Sequence, residues 1–272
     1  MTKTSRRNYP PIRKYGNTPY RVAVIHGGPG APGYMATVAR ELSKDRGVIE
    51  PLQSKDSLDG QIEELESQLI EYADSPSAMV GSSWGAVLSL FVAARRRVKL
   101  DKIILIGSAV FDRDSSTKID SIRQSRWPDE QRLEYEKIKL KLAKATPEEQ
   151  EHIAGKWADA FDVTDKYDPI EAEDETLDVQ YDLHKKVFSD FVALRDTPGL
   201  LKKIFSEINI PVAVIHGDYD PHPIEGIRPF LESCIDDIHF NILEKCGHYP
   251  WLERYAREDF YILLRKELGI KA

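Results

Sequence analysis

Ser83, Asp220 and His248 are the side chains whose types and order could support nucleophilic chemistry in this chain. A serine hydroxyl is a weak nucleophile at neutral pH, so it needs a base within hydrogen-bond reach. Histidine suits that task because its unperturbed pKa, about 6.5, lies close to working pH. A carboxylate behind the imidazole holds the required tautomer and stabilises the imidazolium that forms. Here the order is nucleophile, acid, base, with each residue in a loop just beyond an expected strand. Gly81-Ser82-Ser83-Trp84-Gly85 lies between the apolar run Ser77-Ala78-Met79-Val80 and a helical stretch from Ala86 to Ala94. That reads as strand, sharp turn and helix, with Ser83 at the tip. The flanking glycines suit the turn because side chains there would collide with the neighbouring backbone.

The acid has two candidates. Gly217-Asp218-Tyr219-Asp220-Pro221 follows an expected strand, and Cys246-Gly247-His248-Tyr249-Pro250 follows the next. Asp220 is preferred on its place in the loop, with Asp218 as its competitor. His216, Asp218, Asp220 and His222 also alternate, which on a regular strand would put four possible metal ligands on one face. Gly217, Pro221 and Pro223 interrupt such a strand, so no metal is assigned, and the chemistry calls for no cofactor. Charge developing on an attacked carbonyl oxygen needs backbone donors. His26-Gly27-Gly28-Pro29-Gly30 follows the first clear strand, and the N–H of Gly28 with that of Trp84 would form the oxyanion hole. Losing one such donor costs about 3 to 4 kcal/mol in the transition state. Tyr34, Trp84, Tyr219 and Trp251 are candidate walls of the substrate pocket, by nearness to these motifs.

These residues must be held by a scaffold, and composition bounds it. A chain of 272 residues, 41% hydrophobic and 31% charged, is an ordinary globular protein large enough for one α/β domain with an insertion. A net charge of −7 opposes a nucleic-acid partner, since phosphate backbones attract clustered Lys and Arg. The amino terminus has no apolar core of signal-peptide type, and no apolar stretch is long enough to span a bilayer. A cytoplasmic protein with no membrane partner is expected. Cys234 and Cys246 lack metal-site spacing and are expected to be small buried hydrophobes. In the first 21 residues Lys3, Arg6, Arg7, Arg13, Lys14 and Arg21 have no acidic neighbour in sequence. Pro10-Pro11 and Gly16 break any helix there, so a flexible or surface-lying arm is expected.

Short apolar runs alternate with amphipathic stretches, the pattern of an α/β fold with a mostly parallel central sheet covered by helices on both faces. Strands are expected at Tyr20 to His26, Gly47 to Glu50, Ala78 to Gly81, Lys102 to Ile106, Val212 to His216 and His239 to Leu243. Ile62, Leu65, Leu69 and Tyr72 form one helical stripe; Ala256, Phe260, Leu263 and Leu264 form another. Between about Asp112 and Asp196 only helix signals appear. Pro128-Asp129-Glu130 opens one helix. Thr146-Pro147-Glu148-Glu149 opens another by a capping box, with Ile153, Trp157 and Phe161 on one face. A third is expected from Val179 to Leu194. The expected organisation is therefore a core of residues 1–111 and 197–272, with residues 112–196 as a helical cap over the carboxyl ends of the strands, where ligands bind in open α/β sheets.

Together these motifs resemble the α/β-hydrolase family. His26-Gly27-Gly28-Pro29-Gly30 with Gly81 to Gly85 resembles the proline iminopeptidase branch in particular. The resemblance covers Tyr20 to about Phe111 and Ile210 to the end. It implies an oxyanion hole on the glycine-rich loop and a helical cap whose carboxylates bind a substrate's free amino terminus. This chain departs from the branch at Ser82, where the elbow usually has Gly, and at Pro221, where some relatives carry Glu. Its amino-terminal strands are also abbreviated relative to the usual eight-stranded sheet. Asp159, Asp162, Asp165, Asp168, Glu171, Glu173, Asp174, Glu175 and Asp178 make the cap acidic, facing only Lys166; a solvated loop accounts for such a run. The expected function is a serine hydrolase acting on a small ester or amide, a small molecule or short peptide, through an acyl-enzyme. Rivals are an aminopeptidase favouring amino-terminal proline, a carboxylesterase or thioesterase, a carbon–carbon hydrolase, and a non-catalytic small-molecule binder.

Overall fold

The computed structural model describes residues 10–74, 77–146, 149–150, 153, 161, 163–172, 175–177 and 180–270. All six expected strands are present. They are β2 (Tyr20–Ile25), β3 (Gly47–Pro51), β4 (Ser77–Ser82), β5 (Leu100–Ile106), β6 (Val212–Gly217) and β7 (Ile238–Leu243). A further strand, β1 (Ile12–Tyr15), completes a seven-stranded sheet of order β1-β3-β2-β4-β5-β6-β7. It runs antiparallel to β3 with Arg13 opposite Glu50, and the other pairings are parallel.

β1 corrects the expectation of a flexible or surface-lying arm for these four residues, which pair into the sheet instead. Ile12 and Tyr15 are buried, Arg13 lies 3.6 Å from the buried Glu50, and the Tyr15 hydroxyl donates to Glu50 at 2.8 Å. Burial pushes the Glu50 carboxyl above its usual range. Ile-Arg-Lys-Tyr is four residues long with its two buried side chains at the ends, so it shows no period-two pattern that would declare a strand, and its acidic partner lies far along the chain. Lys3, Arg6 and Arg7 lie outside the described residues.

Side chains of the parallel strands alternate between two cores, as a strand's two-residue repeat requires. Ala23, Ile25, Met79, Ile103 and Leu105 face one core. Its helices are α2 (Leu58–Tyr72), α3 (Trp84–Arg95), α6 (Tyr181–Arg195) and α7 (Leu200–Phe205). Val22, Val24, Val80, Ile104 and Ile106 face the other core, with α1 (Ala36–Leu42) and α9 (Arg257–Glu267). The two expected stripes do this work: Ile62, Leu65 and Leu69 are at most 2% exposed, and so are Ala256, Phe260 and Leu264. α2 starts where Ser57 accepts the Gly60 N–H, and α3 is apolar all round because it lies buried between sheet and neighbouring helices. A short helix, α8 (Arg228–Glu232), precedes β7.

Between β5 and β6 the described residues include helices α4 (Arg113–Arg126), α5 (Asp129–Lys144), α6 and α7. The Asp112 side chain caps α4 by accepting the Ser115 N–H at 2.7 Å. The Thr146 capping box also forms: its N–H donates to Glu149 Oε2 at 2.8 Å and its hydroxyl accepts the Glu149 N–H at 3.4 Å. Trp157 and Val179 fall outside the described residues.

Candidate active site

The elbow follows β4 directly. Ser83 has φ +53° and ψ −115°, outside the ordinary regions for a side-chain-bearing residue. Such strain persists only where surrounding packing enforces it. Here the packing is backbone on backbone. A Cβ on Gly81 would run into the carbonyl of Gly85, and one on Gly85 would run into the carbonyls of Ile25 and His26. Ser83 N–H donates to Ile106 O at 2.9 Å, tying the turn to the end of β5. Trp84 is the first residue of α3, so its N–H lacks an acceptor one turn earlier in the helix and sits at the positive end of the helix dipole.

The glycine-rich loop lies against this turn. A Cβ on Gly27 would come within 2.5 Å of the Tyr34 hydroxyl and 2.9 Å of Ser83 Cβ. Gly28 follows at φ +39°, and its carbonyl accepts the Ala31 N–H at 2.9 Å, closing a tight turn. Tyr34 donates its hydroxyl to Ser82 Oγ at 2.6 Å. Ser82, the departure from the branch pattern, is thus a fully buried acceptor behind the elbow.

Asp220 and His248 meet at the carboxyl ends of β6 and β7. His248 Nδ1 lies 2.7 Å from Asp220 Oδ2, both side chains being buried. Asp218 points elsewhere: it is exposed, and its Oδ1 accepts the Cys246 N–H at 3.2 Å. Gly107, next to Ile106, joins this pair to the elbow. Its φ is +49°, and a Cβ there would stand 2.9 Å from His248 Nδ1 and 3.1 Å from Asp220 Oδ2. Two neighbouring residues at the end of β5 therefore touch Ser83 on one side and the His248–Asp220 pair on the other.

Burial alone would raise the Asp220 carboxyl, but the imidazoles of His248, His216 and His222 outweigh it and hold the group well below the usual carboxylate range. Burial lowers His248, and the Asp220 charge more than reverses this, leaving its pKa above the ordinary histidine value. His216 and His222 are lowered, chiefly by burial. The chemistry this permits is specific. Asp220, ionised, only accepts hydrogen bonds, so His248 carries its proton on Nδ1 and leaves Nε2 as the free base.

Donor atoms of Asp220, His222 and His248 lie within 4.8 Å of one another. Each ring Nδ1 is already hydrogen-bonded to one carboxylate oxygen. Protons bridge the group, and no metal ligand set is assigned.

Among the expected wall residues, Tyr34 and Tyr219 are half-buried, and Arg126 stacks on the Tyr219 ring at 3.6 Å. Trp251 is 1% exposed and sits behind Tyr34, ring centroids 5.7 Å apart. The Trp84 ring points into the core, donating to Gln61 Oε1 at 2.8 Å; its wall role is withdrawn, while its backbone N–H stays at the elbow.

Sequence reasoning did not anticipate the seam between residues 164–170 and the His248 loop. His248 N–H donates to Asp165 O at 2.7 Å. The Asp165 carboxylate is gripped by Arg123, whose Nε lies 2.8 Å from Oδ1. Glu253, fully buried, accepts the N–H groups of Gly247 and Tyr167 at 2.8 Å and that of Asp168 at 2.9 Å. These partners are scattered along the chain and carry no local motif. The available signal was the position of Glu253 five residues beyond His248.

No protein-family profile and no curated protein matches the sequence. Solved structures do match in three dimensions. VinJ superposes with a TM-score of 0.66 at 17% identity, covering 95% of this chain and 94% of VinJ. A proline iminopeptidase of Mycobacterium smegmatis gives 0.64 at 16% identity, covering 95% and 93%. A putative lipase from Acinetobacter baumannii gives 0.62 at 17% identity, covering 96% and 88%. Sheet order, crossovers and these superpositions define the α/β-hydrolase fold. Among the described residues, no helix is long and apolar enough to cross a membrane.

Proposed function

We propose that the chain is a serine hydrolase that cleaves a small ester or amide through an acyl-enzyme. The observation that carries this reading is the 2.7 Å bond from His248 Nδ1 to Asp220, across Gly107 from a serine held at φ +53° on the end of α3. In this mechanism Ser83 Oγ attacks the substrate carbonyl carbon while His248 Nε2 takes the hydroxyl proton. Asp220 keeps the ring oriented and stabilises the imidazolium. The N–H groups of Gly28 and Trp84 hold the oxyanion. His248 then gives its proton to the leaving group, and a water deprotonated by the same ring releases the acid. Residues 112–196 serve as the cap over this site, admitting a small molecule or short peptide.

Short acyl esters are favoured over amine-bearing peptides by one observation. Of the four carboxylates of the acidic run that lie among the described residues, three, Asp165, Asp168 and Glu175, are each paired with an arginine: Arg123, Arg254 and Arg40 respectively. A carboxylate so occupied is poorly placed to receive an ammonium. The second reading is an aminopeptidase, like the M. smegmatis neighbour. A panel of proline arylamide against short acyl esters separates the two.

Ser83→Ala should abolish both hydrolysis and labelling by a fluorophosphonate, with the circular dichroism spectrum unchanged. Persistent labelling at another residue would overturn the assignment.

A further inference from the structure

Resting on that reading of Ser83, His248 and Asp220, we propose that His222 is a positioning residue: it shares the Asp220 carboxylate with His248 and sets how strongly that carboxylate draws a proton onto the base.

The geometry is a carboxylate used on both oxygens. Oδ2 takes His248 Nδ1 at 2.7 Å, while Oδ1 takes both the backbone N–H of His222 at 2.9 Å and its ring Nδ1 at 2.8 Å. The carboxylate only accepts, so both rings carry their protons on Nδ1. The rings stack with centroids 4.5 Å apart and planes 27° from parallel, so the His222 ring walls one face of His248. Two imidazolium ions at that separation would repel, and burial already disfavours a charge on His222. His222 stays neutral and His248 takes the proton.

His222 is itself held. Its carbonyl lies 2.9 Å from His216 Nε2, which carries that ring's proton. His216 Nδ1 is therefore a bare nitrogen, 3.8 Å from Asp220 Oδ2 and beyond hydrogen-bond reach. The second donor ring on Asp220 is thus His222 and not His216. A neutral donor on Oδ1 withdraws part of the carboxylate charge that would otherwise stabilise the His248 imidazolium. The other groups facing His248 are Asp165, which raises its pKa, and Arg123, which lowers it; these two are paired with each other. Tyr249 packs edge-on at 5.0 Å, with Lys166 Nζ over its ring.

The test is the titration of His248, followed by NMR in the wild type, His222→Phe and His222→Asn, alongside the pH dependence of fluorophosphonate labelling. Phe keeps the stacking and removes the ring donor. Asn places an amide N–H where Nδ1 stands. In H222F the His248 midpoint should move up by about one pH unit, and labelling below it should fall about tenfold; H222N should stay near the wild type. If H222F does not fold, His222→Gln replaces it, since its amide reaches the Nε2 position and leaves Oδ1 without a ring donor. An unchanged His248 midpoint in H222F or H222Q, or an equal shift in H222N, overturns the proposal. A wild type that never labels, yet shows the expected shift, counts against serine hydrolysis and supports the shared carboxylate.

Discussion

Around Ser83 the chain is held by backbone packed on backbone, whereas around His248 it is held by buried charge. On the first side Gly27, Gly81 and Gly85 let strand, loop and helix approach so closely that none leaves room for a methyl group. On the second side Asp220, Asp165 and Glu253 are buried carboxylates, each satisfied by nitrogen donors from distant segments. A strained backbone needs neighbours that cannot yield, and close-packed main chain provides them. A base needs a tunable proton affinity, and only nearby charge and hydrogen bonding in a low-dielectric interior supply that. The two sides should therefore fail under opposite kinds of substitution.

Removing charge without changing shape should break the second side most severely. Asp220→Asn leaves the volume intact but presents either the wrong hydrogen-bonding group or the wrong tautomer to His248. Activity and labelling should fall about ten-thousand-fold. A drop of less than tenfold would mean that Asp220 is not the orienting acid.

Adding volume without changing charge should break the first side. Gly85→Ala drives a methyl group into the main-chain carbonyls of Ile25 and His26, which cannot rotate away. The expected cost is on the order of 3 kcal/mol, with Ser83 displaced from its turn. Gly107→Ala tests the junction between the two sides, because its methyl meets the His248 ring and its φ of +49° is unfavourable for alanine. A thermal melt with a labelling assay reads both effects, and a fully stable, fully reactive Gly85→Ala would show that the close approach is not needed.

This contrast also explains what the amino-acid sequence disclosed. Ser83, Asp220 and His248 were legible because each sits in a short motif at a strand end, and strand ends follow from local apolar runs; all six expected strands formed. The glycines at 81 and 85 were legible for the same reason. What stayed hidden was long-range. β1 is a strand only because Glu50 and the edge of β3 receive it. Asp165 and Glu253 act only because two segments some eighty residues apart lie side by side. The alternation His216, Asp218, Asp220, His222 was visible, but its meaning depended on the loop turning after Gly217, which aims Asp220 and His222 at each other and Asp218 away.

The Glu253 seam offers a smaller test of the charged side. Its two oxygens accept three main-chain N–H groups. Glu253→Gln replaces one acceptor by a donor that must face another donor. A loss of about 2 kcal/mol is expected, which lowers Tm by roughly 5 °C in a domain of this size. Labelling should slow as well, because Gly247 adjoins the base. A loss of stability with labelling unchanged would make the seam purely structural.

The gentlest probe is pH. In the proposed mechanism only neutral His248 can accept the serine proton, and the Asp220 charge places its pKa above the ordinary value of about 6.5. Labelling should therefore rise with pH through a midpoint above that value. Substitutions on the backbone-packed side should leave the midpoint alone. Tyr34→Phe is the sharpest of these, since it deletes a neutral hydroxyl whose hydrogen bond goes to Ser82 Oγ and not to Asp220 or His248. Its rate should fall a few-fold at every pH with the midpoint fixed, while Asp220→Asn, leaving the base buried without its counter-charge, should bring the midpoint below 6.5. If Tyr34→Phe moved the midpoint as far as Asp220→Asn did, the two sides would be one electrostatic unit.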